Sequence, residues 1–326
     1  MSKDQPSLSD VLAAKKRIAP YIHPTLANRY PGLDQLLDCE VWIKHENHHP
    51  TSAFKVRGGI NLCASLATAG PLPELYAAST GNHGQSVAYA AHAFGTPARI
   101  FVPEKSNPDK VRAIKNLGAE VIEYGQNYET CRLHAEAVAK EQGARFVDGG
   151  NEPLLIAGVG TYALEMFEAA PDLDVIYVPV GGGSGACGCC TVAHAMNKRV
   201  KVIGVQAENA PAVYRSWHSG ETVKTEHADT FAEGLATLAP FEMPLEILRR
   251  GLHDFILVSE EEMQQAVRTL FMHTHNIAEG AGAAAFAAAY KERHKLRGQK
   301  IAVIMSGGNL TIDMLQRILS NHSTEM

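Results

Sequence analysis

A lysine among small and apolar residues is the first feature of the sequence that could carry covalent chemistry. Lys55 lies within residues 50–59, where most of its neighbours are uncharged. An amine that loses hydration has a lowered pKa, and its neutral form can add to an aldehyde. Lys55 is therefore a candidate Schiff-base lysine. The alternative is a surface lysine whose apolar stem is covered while its ammonium group stays in water.

A glycine-rich loop that follows an apolar strand could hold a phosphate. The strand is predicted over residues 175–180. The loop consists of Gly181, Gly182, Gly183, Ser184 and Gly185. Glycines let backbone N–H groups close around an anion, and the N-terminus of the next helix adds partial positive charge. The alternatives are a tight strand-to-helix turn and a dinucleotide site, although the G-x-G-x-x-G spacing is not clearly met.

A polar turn opens a predicted helix over residues 87–94. The turn consists of Ser79, Thr80, Gly81, Asn82, His83 and Gly84. Its N–H and hydroxyl donors can bind a substrate carboxylate, and the amide of Asn82 can bond to a phenolic oxygen. The alternative is a turn that only caps the helix.

A second polar turn, residues 305–309, ends the apolar strand predicted over residues 301–305. Ser306 stands at the carboxyl end of that strand, which is where open α/β sheets bind ligands. An ordinary turn remains the alternative for this motif on its own.

Short apolar runs alternate with helical stretches along most of the sequence. The runs that predict strands are residues 41–44, 75–78, 98–102, 120–123, 175–178, 201–205 and 301–305. Strands that are buried on both faces have this composition, and helices between them indicate parallel sheets. Asn107, Pro108 and Gly118 predict the cap, the first turn and the end of one helix. The predicted fold class is α/β.

Length and composition narrow the functional class. With 326 residues, of which 45% are hydrophobic, the chain has the size at which one core usually splits into two domains. A formal charge of −5 without a basic cluster argues against nucleic-acid binding. The N-terminus has no apolar signal stretch, and the most apolar helix, residues 281–289, is too short to cross a bilayer. We expect a cytoplasmic protein that binds neither nucleic acid nor membranes.

Cysteines and histidines do not predict a metal site. The six cysteines resemble small buried residues rather than a disulfide framework; they are Cys39, Cys63, Cys131, Cys187, Cys189 and Cys190. The histidines of residues 45–49 and 273–275 fit neither a closed zinc site nor the H-E-x-x-H pattern. We predict that these histidines are solvated or hydrogen-bonded.

Taken together and in this order, the four motifs resemble the fold-type-II pyridoxal-phosphate enzymes, in particular threonine/serine dehydratases and serine racemase. The resemblance runs from about Thr25 to Asn309. It implies pyridoxal 5′-phosphate as the cofactor and a two-domain fold similar to tryptophan synthase β, with open twisted sheets flanked by helices. The cofactor is expected between a large domain, residues 1–73 and 148–326, and a small domain, residues 74–147.

The resemblance also assigns roles to single residues. Lys55 becomes the Schiff-base lysine and catalytic residue, Asn82 the partner of the phenolic oxygen, and Ser306 the partner of the ring nitrogen. The phosphate cradle is Gly181, Gly182, Gly183, Ser184 and Gly185. Phe54 completes the cofactor site, and the substrate site comprises Ser79, Thr80, Gly81 and His83.

The implied reaction is β-elimination from a small β-hydroxy-α-amino acid, which yields a 2-oxo acid and ammonia, as in ammonia-lyases and dehydratases. Lys55 would remove the α-proton. The hydroxyl of Ser306 holds the ring nitrogen protonated less strongly than an aspartate would, which favours prompt loss of the β-hydroxyl. Two alternatives stay open: an amino-acid racemase on the same scaffold, and a non-catalytic phosphate- or nucleotide-binding module.

Three places in the sequence depart from the family pattern. Ala53 stands two residues before the lysine, where the family usually has Ser or Thr. This change favours another β-hydroxyamino acid, such as hydroxyaspartate or phenylserine, over threonine as the substrate. Thr80 replaces the serine that acts as acid and base in the racemase branch, so racemisation ranks below elimination. Gln206 and Ala212 replace acidic cation ligands, so no metal is predicted, although Glu208 remains a candidate ligand.

The assembly is also an expectation from the resemblance. We expect a homodimer that acts on a small amino acid. Because about one helix follows the Ser306 turn, we expect no appended regulatory domain.

Overall fold

Two sheets organise residues 5–320, which are the residues that the structure, a computed structural model, describes. The strands are β1 (Ala27–Arg29), β2 (Glu40–His45), β3 (Leu75–Ala78), β4 (Ala98–Val102), β5 (Glu120–Glu123), β6 (Arg145–Phe146), β7 (Val175–Pro179), β8 (Lys201–Ala207), β9 (Asp254–Val258) and β10 (Lys300–Met305). Every strand predicted from the sequence is present, and β1, β6 and β9 are additional. β1 and β6 have three and two residues, too few for a recognisable pattern.

The strand orders explain the apolar runs. The larger sheet has the order β1-β2-β10-β7-β8-β9, in which only β1 runs antiparallel to its neighbour. The smaller sheet has the order β5-β4-β3-β6 and is parallel throughout. Parallel strands covered on both faces need apolar side chains on both sides. The predicted α/β class is confirmed.

Helices cover both sheets. They are α1 (Leu8–Ile18), α2 (Pro31–Leu37), α3 (Lys55–Leu66), α4 (Asn82–Ala93), α5 (Pro108–Asn116), α6 (Tyr128–Gln142), α7 (Pro153–Ala169), α8 (Ser184–Met196), α9 (Ala212–Ser219), α10 (Glu242–Gly251), α11 (Glu260–Thr274), α12 (Gly280–Lys291) and α13 (Ile312–Ser320). The predicted cap of α5 is confirmed, because the Asn107 side chain accepts a hydrogen bond from the backbone N–H of Asp109 at 2.9 Å.

The apolar core has a layer on each face of each sheet. One face of the larger sheet packs against α2, α11 and α12, and the other against α1, α7, α8 and α10. The smaller sheet packs against α3, α4 and α5 on one face and against α6 on the other. Helix α3 also contacts α7, so it joins the two groups of layers. This places the first residue of α3, Lys55, near both sheets.

Helices α7 and α8 cross with their backbones in contact. A methyl group on Gly188 of α8 would lie 2.8 Å from the Cα atom of Gly160 on α7, which is closer than side chains allow. The helix crossing therefore requires glycine at this position. All six cysteines are buried and free, as predicted.

Within residues 5–320, no helix combines the length and the apolar character that crossing a membrane requires. The domain boundaries proposed from the sequence stay a prediction. The smaller sheet itself extends from Leu75 to Phe146.

Candidate active site

The predicted motifs follow the carboxyl ends of strands from both sheets and lie next to one another, since Asn82 hydrogen-bonds to Asn309. The glycine loop follows β7, the Ser306 turn follows β10, and the turn that contains Asn82 follows β3. Ligands bind at the carboxyl ends of the strands in open α/β sheets. Lys55, the first residue of α3, lies at the carboxyl end of β7, where it contacts Ser184.

The amine of Lys55 lies directly beside the glycine loop. Its Nζ atom donates a hydrogen bond to Ser184 Oγ at 2.8 Å, and it lies 5.1 Å from the ring centroid of Phe54. Burial lowers the pKa of Lys55 to about 8. The neutral amine is therefore accessible near physiological pH, as the nucleophile of an aldehyde requires.

A short antiparallel pairing joins the lysine segment to the Ser306 turn. Ala53 forms a bridge with Gly307, and the backbone N–H of Phe54 donates to the Ser306 carbonyl at 3.0 Å. Ser52 has a φ of 52°, and its carbonyl accepts a hydrogen bond from Gly308. Ser306 is buried, and so is Ala53. The methyl group of Ala53 therefore packs beneath the Ser306 turn.

The glycine loop has the tight geometry of an anion cradle. A methyl group on Gly181 would lie 1.9 Å from the carbonyl oxygen of Gly234, and Gly183 has a φ of 93°. The Gly185 carbonyl accepts a hydrogen bond from the Tyr162 hydroxyl at 2.7 Å. Helix α8 begins at Ser184, so its free N–H groups face the loop. Side chains are excluded from a surface lined by backbone donors, which fits a phosphate.

Phe54 packs beside both the lysine and the loop. Its ring meets the ring of Tyr162 edge to face, with 6.1 Å between the centroids. A methyl group on Gly185 would lie 3.5 Å from Phe54. The aromatic pair thus fixes the spacing between Lys55 and the start of α8.

The side chain of Asn82 forms hydrogen bonds with two other side chains, those of Glu279 and Asn309. Its Nδ2 atom donates to Glu279 Oε1 at 2.8 Å, and its Oδ1 atom accepts from Asn309 Nδ2 at 2.7 Å. Asn309 Nδ2 also donates to the carbonyl of Thr51 at 2.8 Å. Sequence reasoning missed Glu279, which carries no local motif.

The predicted substrate turn is half-exposed. Ser79, Thr80, Gly81 and His83 are all partly accessible, and Ser79 Oγ accepts a hydrogen bond from the N–H of Gly81 at 3.1 Å. His83 Nε2 donates to the carbonyl of Val147 at 3.0 Å. Burial, together with the charge of Lys55, lowers the pKa of His83 to about 4. His83 is therefore neutral near pH 7.

A buried charged cluster supports the helix that carries Lys55. Arg57 Nε lies 2.7 Å from Glu46 Oε2, and Arg57 Nη1 lies 2.6 Å from Glu165 Oε1. Lys44 Nζ lies 2.5 Å from Glu165 Oε2. Burial works against ionisation, but the guanidinium of Arg57 prevails and holds the pKa of Glu46 well below its usual range. Sequence reasoning missed this cluster, which ties α3 to β2 and α7.

Residues 206–212, where Gln206 and Ala212 stand in place of acidic cation ligands, make other contacts. Gln206 is buried, and its Oε1 atom accepts a hydrogen bond from the Tyr214 N–H at 3.0 Å. Glu208 is exposed and pairs with Lys291. Among residues 5–320, no group of three or more His, Cys, Asp or Glu side chains could hold a metal ion.

Comparisons with known proteins agree with this geometry. The "Pyridoxal-phosphate dependent enzyme" family matches residues 18–307. An L-threonine ammonia-lyase of Thermotoga maritima is 36% identical over 96% of this chain and 78% of its own length.

Solved structures of similar fold include a threonine deaminase and a serine racemase. The processed form of threonine deaminase isoform 2 from Solanum lycopersicum is 28% identical, with a TM-score of 0.92 over 97% of this chain and 92% of that one. Maize serine racemase is 27% identical, with a TM-score of 0.91 over 97% of this chain and 98% of its own. The predicted fold, cofactor and class of enzyme are confirmed. This chain belongs to the family of pyridoxal-phosphate dependent enzymes.

Proposed function

We propose that the protein catalyses β-elimination from a small β-hydroxy-α-amino acid of the threonine or serine type, with release of a 2-oxo acid and ammonia. The observation that carries the proposal is the 2.8 Å contact between Lys55 Nζ and Ser184 Oγ, which puts an easily neutralised amine beside the glycine loop. The likeness to an L-threonine ammonia-lyase supports the same reaction.

The site residues have the roles that the resemblance implied. Lys55 attaches the cofactor, and residues 181–185 bind its phosphate, with Phe54 packing beside them. Asn82 donates to the phenolic oxygen, and Ser306 bonds to the ring nitrogen. The bound cofactor supplies an electron sink for the α-carbon. These assignments are proposals that the positions of the side chains support.

The proton transfers fall to Lys55. With the substrate in the site, the free amine of Lys55 would remove the α-proton as general base. The ammonium form of Lys55 can then protonate the departing hydroxyl. The substrate loses one water and becomes an enamine, which takes up one water to give a 2-oxo acid and ammonia. The turn of Ser79, Thr80, Gly81 and His83 would hold the substrate carboxylate.

Ser306 favours elimination over transamination. Its hydroxyl stabilises a protonated ring nitrogen less than a carboxylate would. Ser306 would therefore favour early loss of the β-hydroxyl.

Racemisation is the second candidate. The likeness to maize serine racemase favours it, and Thr80 is partly accessible in the substrate turn. We rank it below elimination because the methyl group of Thr80 crowds the position where that branch has a serine. Membership of the enzyme family argues against a non-catalytic phosphate- or nucleotide-binding module.

The arrangement of the chain is part of the proposal. We propose that residues 74–147 form the small domain and that the cofactor lies between it and the rest of the chain. A cytoplasmic homodimer remains our expectation.

The deciding experiment is a screen of the stereoisomers of serine, threonine, hydroxyaspartate and phenylserine for 2-oxo acid and ammonia. We expect release from at least one of them, and none from Lys55→Ala. Chiral analysis of the remaining amino acid separates racemisation from elimination. Full ammonia release by Lys55→Ala would contradict the proposal, as would inversion without ammonia release from every compound.

A further inference from the structure

Glu279 is a half-buried carboxylate at a point where several segments meet around Asn82. It immediately precedes α12, and its backbone N–H donates to the Gly307 carbonyl at 3.0 Å. Its Oε1 atom accepts the hydrogen bond from Asn82 Nδ2 at 2.8 Å. Through its side chain and its backbone, Glu279 therefore connects the turn after β3 to the turn after β10.

The hydrogen bonds of Asn82 allow only one orientation of its amide. Asn309 Nδ2 donates to Asn82 Oδ1, and Glu279 Oε1 accepts from Asn82 Nδ2. An inverted amide would place two NH₂ groups together and would face its carbonyl oxygen towards a carboxylate. A primary amide has two N–H groups, so one of them remains available as a donor towards the cofactor.

Charged groups from two other segments face Glu279. Lys110 belongs to α5, and Glu233 belongs to the 3₁₀ turn Glu233–Leu235. The two side chains form an ion pair next to the Glu279 carboxylate. A methyl group on Gly234 would lie 3.9 Å from Glu279 Oε1. Burial raises the pKa of Glu279 to about 6, while the hydrogen bond from Asn82 and the charge of Lys110 act in the opposite direction. Its protonation therefore changes close to neutral pH.

We propose that Glu279 is a positioning residue that orients the amide of Asn82, so that Asn82 presents a hydrogen-bond donor to the phenolic oxygen of the cofactor. The inference rests on the role proposed for Asn82. A donor at this oxygen stabilises its ionised form. A proton on Glu279 weakens the orientation, because a neutral carboxyl group can also donate to Asn82 Oδ1.

The first measurement is the absorbance spectrum of the protein-bound cofactor as a function of pH. We expect a transition near pH 6 in the wild type and its loss in Glu279→Gln, because an amide keeps the shape of the side chain but does not titrate. Glu292→Gln, at the far end of α12, is the matched control and should retain the wild-type transition. A transition that is unchanged in Glu279→Gln would overturn the proposal.

The second measurement is the affinity for pyridoxal phosphate, with fluorescence as the readout. Glu279→Ala should bind about tenfold more weakly, because a hydrogen bond to a charged group is lost. Glu279→Gln should recover only part of the affinity, because its amide, like the protonated carboxyl group, can donate as well as accept. Thermal melting checks that each variant is folded. Wild-type affinity and spectrum in Glu279→Ala would contradict the inference.

The two proposals fail in different ways. If no hydroxyamino acid releases ammonia but the Glu279 variants change the spectrum, the proposed reaction is wrong and the role of Glu279 stands. If ammonia is released and depends on Lys55 while the Glu279 variants keep wild-type spectra, only the role of Glu279 is wrong.

Discussion

The Nζ atom of Lys55 lies 2.8 Å from the Oγ atom of Ser184, so the amine contacts the first residue of the helix that follows the glycine loop. The amine of Lys55 therefore lies next to the glycine loop that can bind an anion, although 129 positions separate Lys55 from Ser184 in the sequence. A ligand with both an aldehyde and a phosphate can engage both at once.

The rate of cofactor attachment should depend on the protonation of Lys55. Only the neutral amine adds to the aldehyde, and burial lowers the pKa of Lys55 to about 8. The attachment rate of the cofactor-free protein should therefore rise with pH up to about 8 and then level off. Stopped-flow absorbance after mixing with pyridoxal phosphate measures it. A rate that still rises steeply above pH 10 would indicate an ordinary, solvated lysine.

Gly181 should not tolerate a side chain. The methyl group of Gly181→Ala would lie 1.9 Å from the Gly234 carbonyl oxygen, so the loop or the 3₁₀ turn must move. We expect a loss of about 1–3 kcal/mol in unfolding free energy and clearly weaker cofactor binding. Urea unfolding and fluorescence titration measure the two effects.

Gly182→Ala is the matched control for this change. Its methyl group would lie 3.1 Å from the ring of Phe241, a side chain that can shift. Equal losses in the Gly181 and Gly182 variants would show that glycine is required throughout the loop for another reason.

Removal of Arg57 should destabilise the fold. Arg57→Met leaves the carboxylates of Glu46 and Glu165 buried with too little positive charge. Breaking a buried pair from one side costs about 3–5 kcal/mol, which we expect in the free energy of unfolding in urea. Arg132→Met removes the ion pairs with the exposed Glu129 and Glu136 and should cost at most about 1 kcal/mol. Similar losses of unfolding free energy in both variants would mean that the buried cluster stabilises the fold no more than a surface ion pair does.

Local motifs could be recognised in the sequence, whereas contacts between residues far apart along the chain could not. Lys55, Gly181 and Ser306 could be singled out from the sequence because each lies in a short local motif, at the start of α3, after β7 and after β10 respectively. Glu279 lies 197 positions from Asn82, and Glu165 lies 108 positions from Arg57. No local pattern marks such contacts, since the packing of the helices onto the sheets brings the partners together. The pairing of Ala53 with Gly307 was likewise beyond sequence reasoning.

The ion pair of Lys110 and Glu233 should tune the protonation of Glu279. Lys110→Met removes a positive charge that favours the Glu279 carboxylate and leaves Glu233 unpaired, so the pKa of Glu279 should rise. The spectral transition of the bound cofactor should then move to higher pH by about 0.5 unit. Glu233→Gln removes a negative charge and should move the transition to lower pH.

These opposite shifts distinguish an electrostatic effect from a general loosening of the site. A loosened site would move the transition in the same direction in both variants or would broaden it. High salt should reduce both shifts, because Glu233 is exposed and its field is screened within about 10 Å at 0.1 M ionic strength. Shifts of the same sign in Lys110→Met and Glu233→Gln would therefore rule out Glu279 as the titrating group.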